Sequence, residues 1–110
     1  MKFLCLAYGD EKDWKALSSS EQQALLAQDD VLRARGDLVS PVGGCTTVCA
    51  VEGRVVSSAG PFAVARAPLA GFSLIEARDL NEAISLMSNT PCVQANGAVE
   101  LWPVLDDGSV

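Results

Sequence analysis

Histidine is absent from this chain. Nucleophilic catalysis of the Ser-His-Asp kind is thereby excluded. The side chain that titrates unperturbed near neutral pH is missing too, so proton transfer would fall to a carboxylate of raised pKa, a thiolate or Tyr8. There is no C-x-x-C pair among Cys5, Cys45, Cys49 and Cys92. Cys45 and Cys49 are four apart in a β-like run, which separates them by ~13 Å, too far for a disulfide or a shared metal. With no histidine to complete a ligand set, no metal and no cofactor are expected. The Gly43-Gly44 pair lacks the Gly-Lys-Ser/Thr context of a phosphate loop, and no G-x-S-x-G elbow occurs.

Basic charge is scarce and scattered. Eight Lys and Arg stand against fourteen Asp and Glu, for a net charge of −6. Lys2, Lys12, Lys15, Arg33, Arg35, Arg54, Arg66 and Arg78 form no stripe, so neither nucleic acid nor an anionic membrane is an expected partner. No apolar run approaches the ~20 residues of a membrane span. The opening run Met1 to Tyr8 is broken by Gly9, Asp10 and Glu11, which is too short for a signal peptide. A cytoplasmic protein with free thiols is expected.

What the chain does have is apolar residues, 49% of its 110. The length suits a single domain over residues 1–105, with 106–110 as a flexible tail. Residues 2–8 read as a strand apolar on both faces, with Phe3, Cys5 and Ala7 on one and Leu4, Leu6 and Tyr8 on the other. A polar loop follows, with a turn of helix near Trp14. Ser18 and Glu21 make a capping box that opens a helix to about Arg35, stopped by Gly36. Its inner stripe reads Ala24, Leu25, Gln28, Val31 and Leu32, with an Asp29–Arg33 pair on the flank.

Leu38 to Pro41 reads as a short strand. Thr46 to Glu52 and Arg54 to Ser58 form a hairpin about Glu52-Gly53. A loop over residues 59–69 leads to a strand from Gly71 to Ala77. Asp79 and Glu82 make a second capping box, and Leu80, Ala83, Ile84 and Met87 form one stripe of a helix ending near Asn89. Gly97 to Val104 is the last strand. The order β-α-β-β-β-β-α-β is that of an α+β, ferredoxin-like split βαβ with an added hairpin strand.

Two helices cover only one face of such a sheet. The strands at 3–8, 46–51 and 72–75 are apolar on both, so the second face needs a cover. A homodimer through that sheet face supplies one, burying well over ~1,000 Å². The alternative is a monomer with a loop folded across it.

Several segments carry a family likeness: Met1 to Tyr8, Asp29 to Gly36, Thr46-Thr47-Val48, Ile75 to Ile84 with Leu86-Met87-Ser88 and Pro91, and Val99 to Val104. Together they resemble the YCII-related proteins of the DGPF-type branch, nearly end to end. Thr46-Thr47-Val48 is similar to that family's central strand. The resemblance implies a dimeric α+β barrel. It also implies enzymes acting on small ring compounds, with a His and an Asp as proton carriers. This chain departs there: the signature Asp-Gly-Pro-Phe is Ala59-Gly60-Pro61-Phe62, and positions where relatives carry histidine hold Asp37, Glu82 and Thr90. The first helix is about a turn shorter. The family's dyad is therefore missing.

The candidate cleft residues are Tyr8, Asp10, Gln28, Asp29, Phe62 and Arg66. Tyr8 ends the first strand, facing either the barrel or the core. Asp10 lies at the strand mouth, where a solvated loop acid is the plainer reading. Gln28 is the polar member of an apolar stripe and bonds either a ligand or nearby backbone. Asp29 and Asp30 diverge by about 100° on a helix and form no carboxylate dyad. Gly60-Pro61-Phe62 reads as a rigid turn packing Phe62 inward, near the cleft in relatives. Arg66 is a candidate for an anionic ligand or a surface cation. Cys5 and Cys49 read as core, and Trp14 and Trp102 as dimer anchors. Two functions compete: a non-catalytic small-molecule-binding or accessory dimer, and an isomerase- or lyase-type enzyme on small ring compounds using Tyr8 or a desolvated carboxylate.

Overall fold

The computed structural model describes residues 1–105, and the expected tail at 106–110 lies outside them. The elements run β1 (Lys2–Tyr8), α1 (Glu11–Lys15), α2 (Ser19–Ala34), β2 (Leu38–Pro41), β3 (Thr46–Val51), β4 (Arg54–Ala59), β5 (Leu69–Glu76), α3 (Leu80–Met87), α4 (Pro91–Gln94) and β6 (Ala98–Pro103). The main sheet is antiparallel in the order β2-β5-β1-β6. β5 therefore lies between β1 and β2, the two strands that α2 joins. β1 lies likewise between β5 and β6. That interleaving is the ferredoxin-like split βαβ arrangement.

Register decides which side chains meet the helices. Phe3 pairs with Ile75 and Cys5 with Ser73 in the β1–β5 ladder. These four are buried, and Phe3, Cys5 and Ile75 form one core with Leu32 of α2 and Ala83 and Met87 of α3. The opposite row holds Leu4, Leu6 and Tyr8 beside Phe72, Leu74 and Trp102, and none of these is buried.

Local chemistry sets the helix ends. Ser18 caps α2: its Oγ accepts the Glu21 N–H at 3.2 Å, and the Glu21 carboxylate accepts the Ser18 N–H at 3.1 Å. Past Gly36 the chain is clamped. Asp37 accepts the Glu76 N–H at 3.0 Å while Arg35 donates to the Glu76 carbonyl at 2.6 Å. Asp37 Oδ2, which takes no hydrogen bond, stays 3.5 Å from the Arg35 guanidinium. This clamp fixes the end of α2 to β5, and nothing in the sequence pattern announced it.

Several expectations need correction. The hairpin adds no strand to the main sheet, because β3 and β4 pair with each other alone, as a separate ribbon. Thr46-Thr47-Val48 is thus not central. The turn explains the pairing of β3 with β4: Glu52 and Gly53 both have positive φ, 51° and 79°, the geometry of a tight hairpin that matches strand twist. Cys49 and Phe62 are exposed rather than packed inward. The inner face of α2 is Leu25, Gln28, Asp29 and Leu32, with Ala24 and Val31 turned outward. Arg33 pairs with Asp30 at 3.2 Å, one position nearer than expected. At α3, Asp79 caps Glu82 N–H, but the Glu82 carboxylate reaches past the cap to the Arg78 N–H. Leu80 and Ile84 are about half exposed, and only Ala83 and Met87 of that stripe are buried. A short helix, α4, begins at Pro91, in the stretch between the expected helix end near Asn89 and the last strand, where no element was expected.

Candidate functional site

The helix-facing row of the sheet tapers along β1. At one end stand Phe3 and Ile75; toward the other stand Ala7 and Gly71, which pair directly. Small side chains leave space beneath the helix layer, and a cavity of about 580 Å³ opens there. That volume lies within the usual range of small-molecule sites. Ala7, Val39, Gly71, Ser73 and Val99 form its sheet side; Trp14, Leu26, Met87 and Cys92 belong to the helical side. Most of this lining is apolar.

The close packing behind the cavity depends on glycine. A Cβ on Gly9 would stand 3.0 Å from Cys92 Sγ, so the bare position lets the Cys92 side chain of α4 pack tightly on the end of β1. Gly71 is equally restricted, for a Cβ there would lie 2.7 Å from the Ser40 carbonyl oxygen.

Polar groups on the lining are few. Thr90 is buried, and its hydroxyl donates to the Met87 carbonyl at 2.6 Å. Ser73 is buried on the sheet side. Asp10 caps α1 by accepting the Lys12 N–H at 3.1 Å, so one carboxylate oxygen is committed. Arg33 donates to Asp30 at 3.2 Å and reaches the Val39 carbonyl at 3.4 Å.

Asp29 is the distinctive group. It sits half-buried on the cavity side of α2. Burial pushes its carboxyl pKa up, Arg33 pulls it down and Asp30 adds a smaller upward push. Cys92 is half-buried too, and its thiol is raised by burial and then by the negative charge of Asp29. The thiol is thereby held protonated, unlike an activated nucleophile. Asp29 thus places a partly desolvated carboxyl on the wall of the cavity.

Of the six residues singled out from sequence, Asp10 and Asp29 line this cavity. Tyr8 lies on the opposite sheet face beside Glu100, whose accepting carboxylate raises the phenol's pKa. Gln28 donates to the Leu86 carbonyl at 2.9 Å, tying α2 to α3. Phe62 and Arg66 are exposed outside the cavity. Sequence reasoning did not gather Trp14, Arg33, Thr90 and Cys92 at one site. Helical spacing alone offered a hint for Arg33, one turn after Asp29. Among the described residues no three Cys, Asp or Glu side chains gather as a metal site requires. No helix among them is long and apolar enough to cross a membrane.

Comparison with known proteins adds three findings. A family model described as the YCII-related domain matches residues 1–106. No curated protein matches the chain. A solved structure of 5-chloro-2-hydroxyhydroquinone dehydrochlorinase from Burkholderia phenoliruptrix AC1100, in complex with 2,5-dihydroxybenzoquinone, superposes with a TM-score of 0.50 at 20% identity. The match covers 96% of this chain and 94% of that one. At such identity the likeness speaks for the fold alone.

Proposed function

The chain belongs to the YCII-related family, and from that premise we propose that it binds a small, largely apolar ring compound in the cavity beneath α2 and α4. The observation that carries this reading is the cavity itself, about 580 Å³ with mainly apolar walls and two half-buried carboxyls, Asp29 and the helix-capping Asp10. Few polar groups in an apolar cleft orient a ligand without binding it by charge. A dehydrochlorinase of similar fold, solved with a dihydroxybenzoquinone, is consistent with a ring-shaped ligand. The protein acts as a homodimer through its second sheet face, where Leu4, Leu6, Phe72, Leu74 and Trp102 stand unburied. Four free thiols suit the reducing cytoplasm.

A second reading is favoured by the desolvation of Asp29. Burial moves the Asp29 pKa upward, the direction a general acid or base needs, and with its carboxyl on the cavity wall Asp29 would serve as the proton carrier of an isomerase- or lyase-type step. Tyr8 takes no part from the opposite face.

A thermal-shift screen of phenols, hydroquinones and benzoquinones tests both readings. Binding is expected to raise the melting temperature of wild type, and Trp14→Ala is expected to abolish the shift. No shift with any of these compounds would overturn the binding reading. Product formation by wild type, lost in an Asp29→Asn variant that still binds, would establish the enzyme; equal turnover in both would remove Asp29 from the chemistry.

A further inference from the structure

This chain shows far more surface than its mass explains. A folded monomer of 11.5 kDa exposes roughly 5,800 Å². The chain exposes 7710 Å². The excess is on the order of 1,900 Å². Its Cα radius of gyration is 15.8 Å, against roughly 13 Å for a compact domain of this length.

The bare sheet face does not account for that excess. Four strands at about 4.8 Å spacing and about 20 Å long present on the order of 400 Å² in projection. Much of the remainder sits on the ribbon of β3 and β4. Val48 is 65% exposed and Val55 78%, and in the segment that follows Val64 is 99% exposed. Val48, Ala50, Val55 and Ala59 share one face of the ribbon by register. No charged residue lies between Thr46 and Val51 or between Val55 and Ala59. A ribbon of two strands charged only at its tip, by Glu52 and Arg54, with both edges unpaired, is marginally stable alone and invites pairing with another chain. Its base is closed where the Gly60 N–H donates to the Cys45 carbonyl at 2.9 Å, and past that point it leaves its own subunit uncovered.

We propose that the β3–β4 ribbon is an exchanged arm that lies on a second copy of this chain, each copy's ribbon covering the other's bare sheet face. This rests on the homodimer of the proposed function and assigns it an interface. A two-fold pair satisfies both apolar surfaces at once, because each copy carries one of each. Hiding the excess on both copies would bury about 3,800 Å², within the range of obligate dimers. Closed exchange also removes the exposed ribbon edges from the reach of further chains.

The test uses the full chain. Sedimentation equilibrium compares wild type with Val48→Lys and Val55→Lys, whose altered positions are exposed in the single subunit. A dissociation constant raised at least tenfold, with unchanged circular dichroism, supports the arm. Disulfide trapping then mixes two chains in a Cys45→Ser, Cys49→Ser, Cys92→Ser background. One carries Val48→Cys; the other carries Leu38→Cys or Trp102→Cys, at the two edges of the bare face. A cross-linked heterodimer supports the assigned contact. A stable dimer with an unchanged constant and no cross-link overturns the exchanged arm while leaving the homodimer intact. A weakened dimer without cross-link overturns the assigned face. A wild-type monomer overturns both.

Discussion

The four-stranded body and the β3–β4 ribbon are made of the same material and meet opposite fates. Both contain strands with apolar residues on each face. In the body, Phe3 is 0% exposed and Ile75 1%, because α2 and α3 lie across their side of the sheet. On the ribbon, Val55 keeps 78% of its surface in contact with solvent. A two-faced apolar pattern therefore marks a strand as fit for cover on both sides. It leaves open whether the cover comes from the same chain.

This contrast can be broken most sharply in the body. Phe3→Ala is expected to cost about 3–5 kcal/mol, since it empties the centre of the only core shared by sheet and helices among the described residues. Urea unfolding measures the loss; a change under about 1 kcal/mol would deny the body its rigid core. Gly97→Ala comes next, at about 1–3 kcal/mol of overpacking. Its added Cβ would run into the Tyr8 carbonyl and stand 2.7 Å from that of Cys92. The same variant is expected to weaken ligand-induced stabilisation, because Cys92 lines the cavity.

Asp29→Asn gives a smaller effect whose sign depends on pH. Burial raises the Asp29 carboxyl pKa, so the native state holds that proton more tightly than the unfolded chain does. The resulting stability is complete below the unfolded value of about 3.9 and is lost as pH rises through the higher folded value. The variant should therefore melt above wild type at pH 7, with the gap closing as pH falls below about 4. A constant gap at all pH values would show that Asp29 is solvated. The smallest effect belongs to the ribbon. Val55→Ala, studied where the subunits are separate, is expected to change stability by no more than about 0.5 kcal/mol, and to act through the concentration dependence of unfolding instead.

Much of the body was legible beforehand. The capping box at Ser18, the turn at Glu52-Gly53 and the two faces of β1 are local signals, and each produced its element. The ferredoxin-like order followed from their sequence along the chain. What escaped was anything set by long-range geometry. The tight turn identified the hairpin, but no local pattern shows which ladder a strand will join, and the hairpin stands apart from the main sheet. The cavity was half legible for the same reason. Asp10 and Asp29 were named from their places at a strand mouth and on a helix face. Trp14 of α1 and the Thr90–Cys92 start of α4 come from two distant segments that converge where β1 tapers to Ala7 and Gly9 is bare. Gln28 was noticed as a polar residue on an apolar stripe, and its partner, the Leu86 carbonyl, lies 58 residues away in sequence.

Underlying these contrasts is one proposition: apolar surface that this chain leaves uncovered is covered by another copy of itself. Sedimentation equilibrium of the unmodified protein at micromolar concentration addresses it most directly. The expected result is a species of twice 11.5 kDa across the accessible range. A folded, non-aggregating species of 11.5 kDa at those concentrations would contradict it.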